Sequence, residues 1–273
     1  MNSTSYFKSQ SVRHQSKLAI RLHAILDRLL TRAGLSSVDH SAELPPDCFD
    51  TPHLKCWFDD LTFQQCYQSS ITAAGSDYRI PWRVHQLLWC LNATEHLDGD
   101  LVELGTGKGF MMAAAASYFQ QTGDPRLIHL FDLFRKPDFS GEGLLDLSKY
   151  YASTPNDVMQ AFSRYSNVCF HVGDVRQTLP SGAPDKISFL HVDLNNWRLE
   201  IDCMRFLMPR MQQGSVILLD DFANRGFDEA FDQHTMFFRD LGLSILTTPA
   251  GQGIVAPLRD TNCLKNLSSA AFE

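Results

Sequence analysis

Two apolar runs in the second half of the chain end in carboxylates. "KISFLHVDL" reaches Asp193, and "GSVILLDDF" reaches the adjacent pair Asp220 and Asp221. Like charges side by side repel, and a buried carboxylate needs a cation, a proton or hydrogen-bond donors to offset its desolvation. No Arg or Lys adjoins these residues in the sequence, which points to a hard divalent cation. Mg²⁺ takes oxygen ligands and keeps several waters, so two or three carboxylates suffice. Two other uses stay open. Asp220 can cap the loop after its strand with Asp221 exposed, and Asp193 can bind a substrate hydroxyl without a metal.

A second set of polar groups lies upstream. "ELGTGKGF", from Glu103 to Phe110, follows one apolar run and opens a helical one. Glycines let the backbone turn sharply and let a ligand touch main chain. The third glycine of a dinucleotide fingerprint is here Phe110, which argues against a nicotinamide dehydrogenase, and "GKG" is not the GK[ST] of a P-loop. The next two apolar runs end at Asp132 and at Gly173-Asp174. Asp132 can accept hydrogen bonds from ribose hydroxyls, and Asp174 suits the exocyclic amine of an adenine.

The elements that must position these residues follow from periodicity. Strands read at "DLVELG", "LIHLFDLF", "NVCFHVGD", "KISFLHVDL", "SVILLDD", "LSILTTP" and "GIVAPL", with helices at 81–94, 109–121, 155–165, 199–211 and 228–241. Near-continuous apolar strands alternating with helices predict an α/β fold, a mainly parallel seven-stranded sheet covered on both faces. "AGQG" predicts a closing antiparallel hairpin. In such sheets ligands bind beyond the carboxyl ends of the strands, where the glycine loop and every carboxylate named above fall.

In this order the motifs resemble those of the class I S-adenosylmethionine-dependent methyltransferases: "VELGTGKG" their first, "FDLF" their second, "GDVRQTLP" their third, over roughly residues 80–258. That resemblance implies a Rossmann-like fold with Glu103, Gly105, Thr106 and Gly107 along the methionine portion of the cofactor. It puts Asp132 on the ribose and Asp174 near the adenine, with Leu133, Gly173, Val175 and Asp193 completing the cofactor set. "HVDL" followed by "LLDDF", and the later "TTPAGQGIV", resemble the macrocin (TylF-type) O-methyltransferases of sugar and natural-product pathways. The implied metal ligands are Asp193, Asp220 and Asp221, the implied cofactors S-adenosyl-L-methionine and Mg²⁺, and the implied acceptor a small molecule. A metal-bound hydroxyl is more acidic and better directed, and a vicinal diol suits this best. TylF-type members often carry Asp-x-Asp after the fourth strand; here the second position is Asn195, which takes no proton at neutral pH. Asp193, Asp221 and His234 are the remaining catalytic candidates. Tyr150, Tyr151, Asn195, Trp197, Asn224 and Arg225 are the acceptor candidates. A metal-independent N- or C-methyltransferase and a catalytically silent protein of this fold are the alternatives.

Composition sets outer bounds. With 273 residues and 44% hydrophobic content the chain can bury one large α/β domain with an extension. The expected division is a helical extension at 1–80, which forms a lid or an oligomer contact, a cofactor-binding domain at 81–260 and a tail at 261–273. The net charge of −7 argues against nucleic acid as the main partner. No apolar run of about 18 residues predicts a membrane span. Seven cysteines, an odd number without CxxC spacing, predict reduced thiols and a cytoplasmic protein. Before Asp27 the chain has bases and serines but no acid, a composition shared with transit peptides. Leu18, Leu22, Ile25 and Leu29 at helical spacing instead predict an amphipathic helix at 13–33, packed on the domain or on a second subunit of a homodimer or higher homo-oligomer.

Overall fold

The computed structural model describes residue 47, residues 56–135, residue 151, residues 154–256 and residue 264. They fall in one compact unit, Pro45–Glu273. The expected helix at 13–33, Tyr150 and nearly all of the tail lie outside the described residues.

Seven strands form one sheet: β1 (Asp100–Leu104), β2 (Ile128–Asp132), β3 (Val168–Val172), β4 (Ile187–Val192), β5 (Met211–Leu219), β6 (Leu246–Thr247) and β7 (Gly253–Val255). Their order is β3-β2-β1-β4-β5-β7-β6. The first five run parallel, while β7 is antiparallel to both β5 and β6. This is the mainly parallel sheet and closing hairpin that the sequence predicts. The helices among the described residues are α1 (Leu61–Ala74), α2 (Pro81–Ala93), α3 (Phe110–Thr122), α4 (Pro155–Ala161), α5 (Val175–Gly182), α6 (Trp197–Leu207) and α7 (Asp228–Asp240).

Local chemistry explains the boundaries. Asp60 caps α1, accepting from the Phe63 amide, and Gly75 ends it in the left-handed region at φ 73°. Pro81 opens α2, whose N-cap, Ile80, has no side chain that can cap. Asp47 supplies the cap from a distance: Oδ2 accepts from the Trp82 amide at 2.6 Å and Oδ1 from the Arg83 amide at 3.4 Å. The run Ala113–Ala116 lets α3 lie close against α1, and all four residues are buried. Phe110, at the position where a dinucleotide fold would want a glycine, is buried and stacks on Tyr78 at 4.4 Å.

Some expectations need adjusting. Helix α6 stops at Leu207 rather than 211, because Pro209 forces a 3₁₀ turn at Met208–Arg210. Helix α5 was legible only as a motif, since it is eight residues long with Pro180 inside. Within the stretch 1–80 expected as the extension, Phe63 and Cys66 of α1 are buried in one cluster with Met112 and Phe119 of α3. Cys66, Cys90 and Cys203 are buried free thiols, as expected.

Candidate active site

The site forms where β1, β4 and β5 end side by side. The Asp193 amide donates to Leu104 O at 2.8 Å, and the Asp220 amide donates to Val192 O at 3.0 Å. These bonds carry the ladder one step past each strand and hold the carboxylates together. Gly105 makes the join fit: its φ is 86°, and a β-carbon there would sit 1.9 Å from the Asp193 carbonyl oxygen. Asp193, Asp220 and Asp221 each offer an oxygen within 4.8 Å of the others.

A cation already touches part of this set, contrary to the expectation from the neighbouring sequence. Arg83, from α2, donates through Nη1 to Asp220 Oδ2 and to Asp221 Oδ1, the latter at 3.2 Å. Gln252 Nε2 donates to Asp220 Oδ1 at 2.7 Å, Asn224 Nδ2 to Asp221 Oδ1 at 2.5 Å, and Asn195 Nδ2 to Asp193 Oδ1 at 3.3 Å. Behind them His191 is fully buried, with Nδ1 3.0 Å from Glu103 Oε1 and Nε2 3.5 Å from Asp220 Oδ1.

The electrostatics sort these groups. Burial opposes charge on His191, but its hydrogen bond to Glu103 and the nearby charges of Asp220 and Glu103 outweigh burial and push its pKa up to about 10. Burial also acts on Asp220, yet the Arg83 charge, His191 and Gln252 hold it well below the usual carboxylate range. Burial and then the charges of Asp220 and Asp221 raise Asp193 well above that range. Asp221 is pushed up to about 6 by burial and by Asp220, with Arg83 opposing. Glu103 is raised by burial. Four carboxylates (Glu103, Asp193, Asp220, Asp221) therefore face two cations, Arg83 and His191. The remainder, two negative charges, calls for protons or for one divalent ion.

A cavity of about 370 Å³ opens over the triad, lined among others by Asp193, Asn195, Trp197, Asp220, Asp221 and His234. Trp197 opens α6 and carries the Arg198 guanidinium 4.3 Å from its ring centre. Asn195 adopts the left-handed conformation at φ 56°. His234 is buried on α7, its Nε2 3.1 Å from Glu200 Oε2. Glu200 Oε1 accepts from the Leu194 amide at 3.1 Å and the Asn196 amide at 3.4 Å, tying the turn after β4 to α7.

The glycine loop forms the other half. Asp132 Oδ2 accepts from the amides of Thr106 and Gly107, both at 2.7 Å, and Oδ1 accepts from the Phe134 amide at 2.6 Å. A carboxylate has about four lone-pair positions, so Asp132 keeps roughly one for a ligand. Glu103 Oε2 and Thr106 Oγ1 are buried without a hydrogen-bond partner. Leu133 is 45% exposed at the end of β2. Gly173 has φ 139°, and Asp174 caps α5, accepting from the Arg176 amide and pairing with its guanidinium. The Val175 side chain is in the core.

Burial and then the charges of Asp193, Asp132 and Asp221 raise the pKa of Tyr151. Asn224 reaches the triad through Asp221. Arg225 is exposed. Sequence reasoning missed four groups. His191 sits two residues before Asp193, Gln252 lies in the hairpin read only as a turn, and Glu200 lies one turn into α6. Arg83 gave no signal, being 137 residues from Asp220.

A glycine loop after β1, ordered carboxylates after β2 to β5 and the order 3-2-1-4-5-7-6 define a class I methyltransferase fold. Residues 102–222 match the family described as a methyltransferase domain. A relative from Streptomyces olivaceus, 8-demethyl-8-(2,3-dimethoxy-alpha-L-rhamnosyl)-tetracenomycin-C 4'-O-methyltransferase, is 24% identical over 157 residues. That match covers 52% of this chain, and the chain spans about 60% of the relative's length. The O-methyltransferase NovP superposes with a TM-score of 0.58 at 18% identity, over 75% of this chain and 99% of NovP. The calicheamicin methyltransferase CalS11 gives 0.55 at 14% identity, over 81% of this chain and 98% of its own. At these identities the two structures speak for the fold. The matched segment contains Glu103, Asp132, Asp174 and the aspartate triad; Arg83, His234 and Gln252 lie outside it.

Proposed function

We propose that the protein is an S-adenosylmethionine-dependent, Mg²⁺-dependent O-methyltransferase acting on a hydroxyl of a sugar or natural-product small molecule. The observation that carries this reading is the convergence of Asp193, Asp220 and Asp221, each with an oxygen within 4.8 Å of the others, at the strand ends beside the glycine loop. Neighbouring carboxylate oxygens form a hard donor set, and a divalent cation closes the charge balance. The buried free oxygen of Glu103 and the hydroxyl of Thr106 fit donor groups at the amino-acid end of the cofactor. Asp132 then accepts from a ribose hydroxyl, and Asp174 faces the adenine only by easing its pairing with Arg176.

S-adenosylmethionine supplies a methyl group already activated on a sulfonium, and a bound divalent ion supplies acidity to the acceptor hydroxyl. The chain's own task is alignment and proton removal. Trp197 forms one wall for the acceptor and Tyr151 another. His234, which lines the cavity with Glu200 beside its Nε2, is the candidate for the base left open by Asn195. Asp221, pushed up to about 6, is the other proton acceptor in the cavity. The base would take the proton of the acceptor hydroxyl as that oxygen receives the methyl group the bound cofactor would supply.

The test is turnover of a sugar carrying a vicinal diol, with Mg²⁺ and after EDTA. The reading expects activity that EDTA abolishes and that Asp193→Asn or Asp220→Asn lowers by at least about 100-fold, as loss of a group acting in the transition state does. Unchanged activity in both variants contradicts it. The Arg83 contact favours a second reading, in which the pair is an internal ion pair and methyl transfer to N or C needs no metal; EDTA would then leave turnover unchanged.

A further inference from the structure

Arg83 comes from outside the matched segment and yet touches its centre, as Asn224 and Gln252 do, and of these three it alone brings a positive charge. It is held firmly. Its side chain is 13% exposed, its helix begins at Pro81, and Asp47 accepts from the amides of Trp82 and Arg83 itself. One nitrogen, Nη1, is shared between Asp220 Oδ2 and Asp221 Oδ1. Both residues are in the donor set that a divalent ion would use. Oxygen ligands lie about 2.1 Å from Mg²⁺. An ion on those residues would therefore stand within about 5 Å of the guanidinium. A single and a double positive charge at that separation repel strongly even under partial solvent screening.

We propose that Arg83 is a positioning residue that sets the affinity of the cluster for the divalent ion. Without the ion it neutralises Asp220 and shares Asp221. With the ion bound it gives up part of that contact, so ion occupancy and the seating of α2 are coupled. Arg83 weakens ion binding in two ways: it repels the incoming charge, and it stabilises the ion-free carboxylates. This inference rests on the metal-dependent reading above.

Mn²⁺ binding to the full chain, followed by the electron paramagnetic resonance signal of the free ion, tests it. Arg83→Gln is expected to bind Mn²⁺ at least about tenfold more tightly than the parent, the least that the repulsion implies. Arg83→Lys keeps the charge and is expected within about threefold of the parent. Asp193→Asn is expected to lose binding. Hydrogen exchange on the unmodified protein gives a second readout that needs no variant at Arg83: Mn²⁺ should speed exchange in α2 while protecting the residues around Asp220. A parent that binds Mn²⁺ alongside an Arg83→Gln that binds it equally or more weakly overturns the role of Arg83 and leaves the metal reading standing. Unchanged or slower exchange in α2 on Mn²⁺ binding does the same. No binding by either protein overturns the metal reading, and this inference with it.

Discussion

At the scale of single residues, two positions carry the geometry. Gly105 lets β1 and β4 end against each other. Gly105→Ala would put a β-carbon 1.9 Å from the Asp193 carbonyl and strain a φ of 86°. Misfit at such a site costs more than about 2 kcal/mol, so denaturant unfolding should show a clear loss of stability, and calorimetry weaker binding of S-adenosylhomocysteine. His191 is the second. Its folded-state pKa of about 10 lies above the ordinary 6.5, so its pairing stabilises the fold fully below pH 6.5 and is lost as pH rises through about 10. In EDTA, nitrogen NMR should show a doubly protonated His191 ring at pH 8, and stability should fall from pH 7 to 10 with a slope that His191→Gln flattens. A neutral ring at pH 7 contradicts the assignment. The aspartates and glycines were legible because each ends an apolar run. His191 was hidden inside such a run, where a histidine looks like any other strand residue.

At the scale of elements, the strands and most helices were legible because their periods are strong and their ends marked by Pro, Gly or Asp. What α2 does was not. The sequence places a helix at 81–94 but does not say that its first turn points Arg83 at a residue 137 positions away. Nor does it reveal that Asp47, 35 residues earlier, caps that helix. Asp47→Ala is expected to cost about 1 kcal/mol, read as a lowered midpoint of thermal unfolding. The same holds for the turn at Glu200, where the partners belong to the loop after β4 and to α7. On the other half of the site, Asp132 fastens the glycine loop through the amides of Thr106 and Gly107. Asp132→Ala should weaken S-adenosylhomocysteine binding by about 10- to 100-fold, the loss of one to two good charged hydrogen bonds.

At the scale of the whole molecule, strand order does what no local motif can. Because β4 lies beside β1, the glycine loop and the aspartate cluster fall at the same edge of the sheet. That adjacency was legible only through the resemblance of the motif order to a known fold, since parallel pairing leaves no local mark of which strands are neighbours. No helix among the described residues is long and apolar enough to cross a membrane. The net charge of −7 does not favour a polyanionic partner. His234→Ala separates base from metal: turnover should drop by about 10²- to 10⁴-fold, the usual contribution of a general base, with Mn²⁺ binding retained. The central claim, that the aspartate triad holds a divalent ion beside the cofactor, is tested most directly by anomalous scattering from crystals grown with Mn²⁺ and S-adenosylhomocysteine. The account predicts one manganese peak bonded to Asp193, Asp220 and Asp221, with Arg83 drawn back from the pair. A triad without manganese, with Arg83 still seated on Asp220 and Asp221, would contradict it.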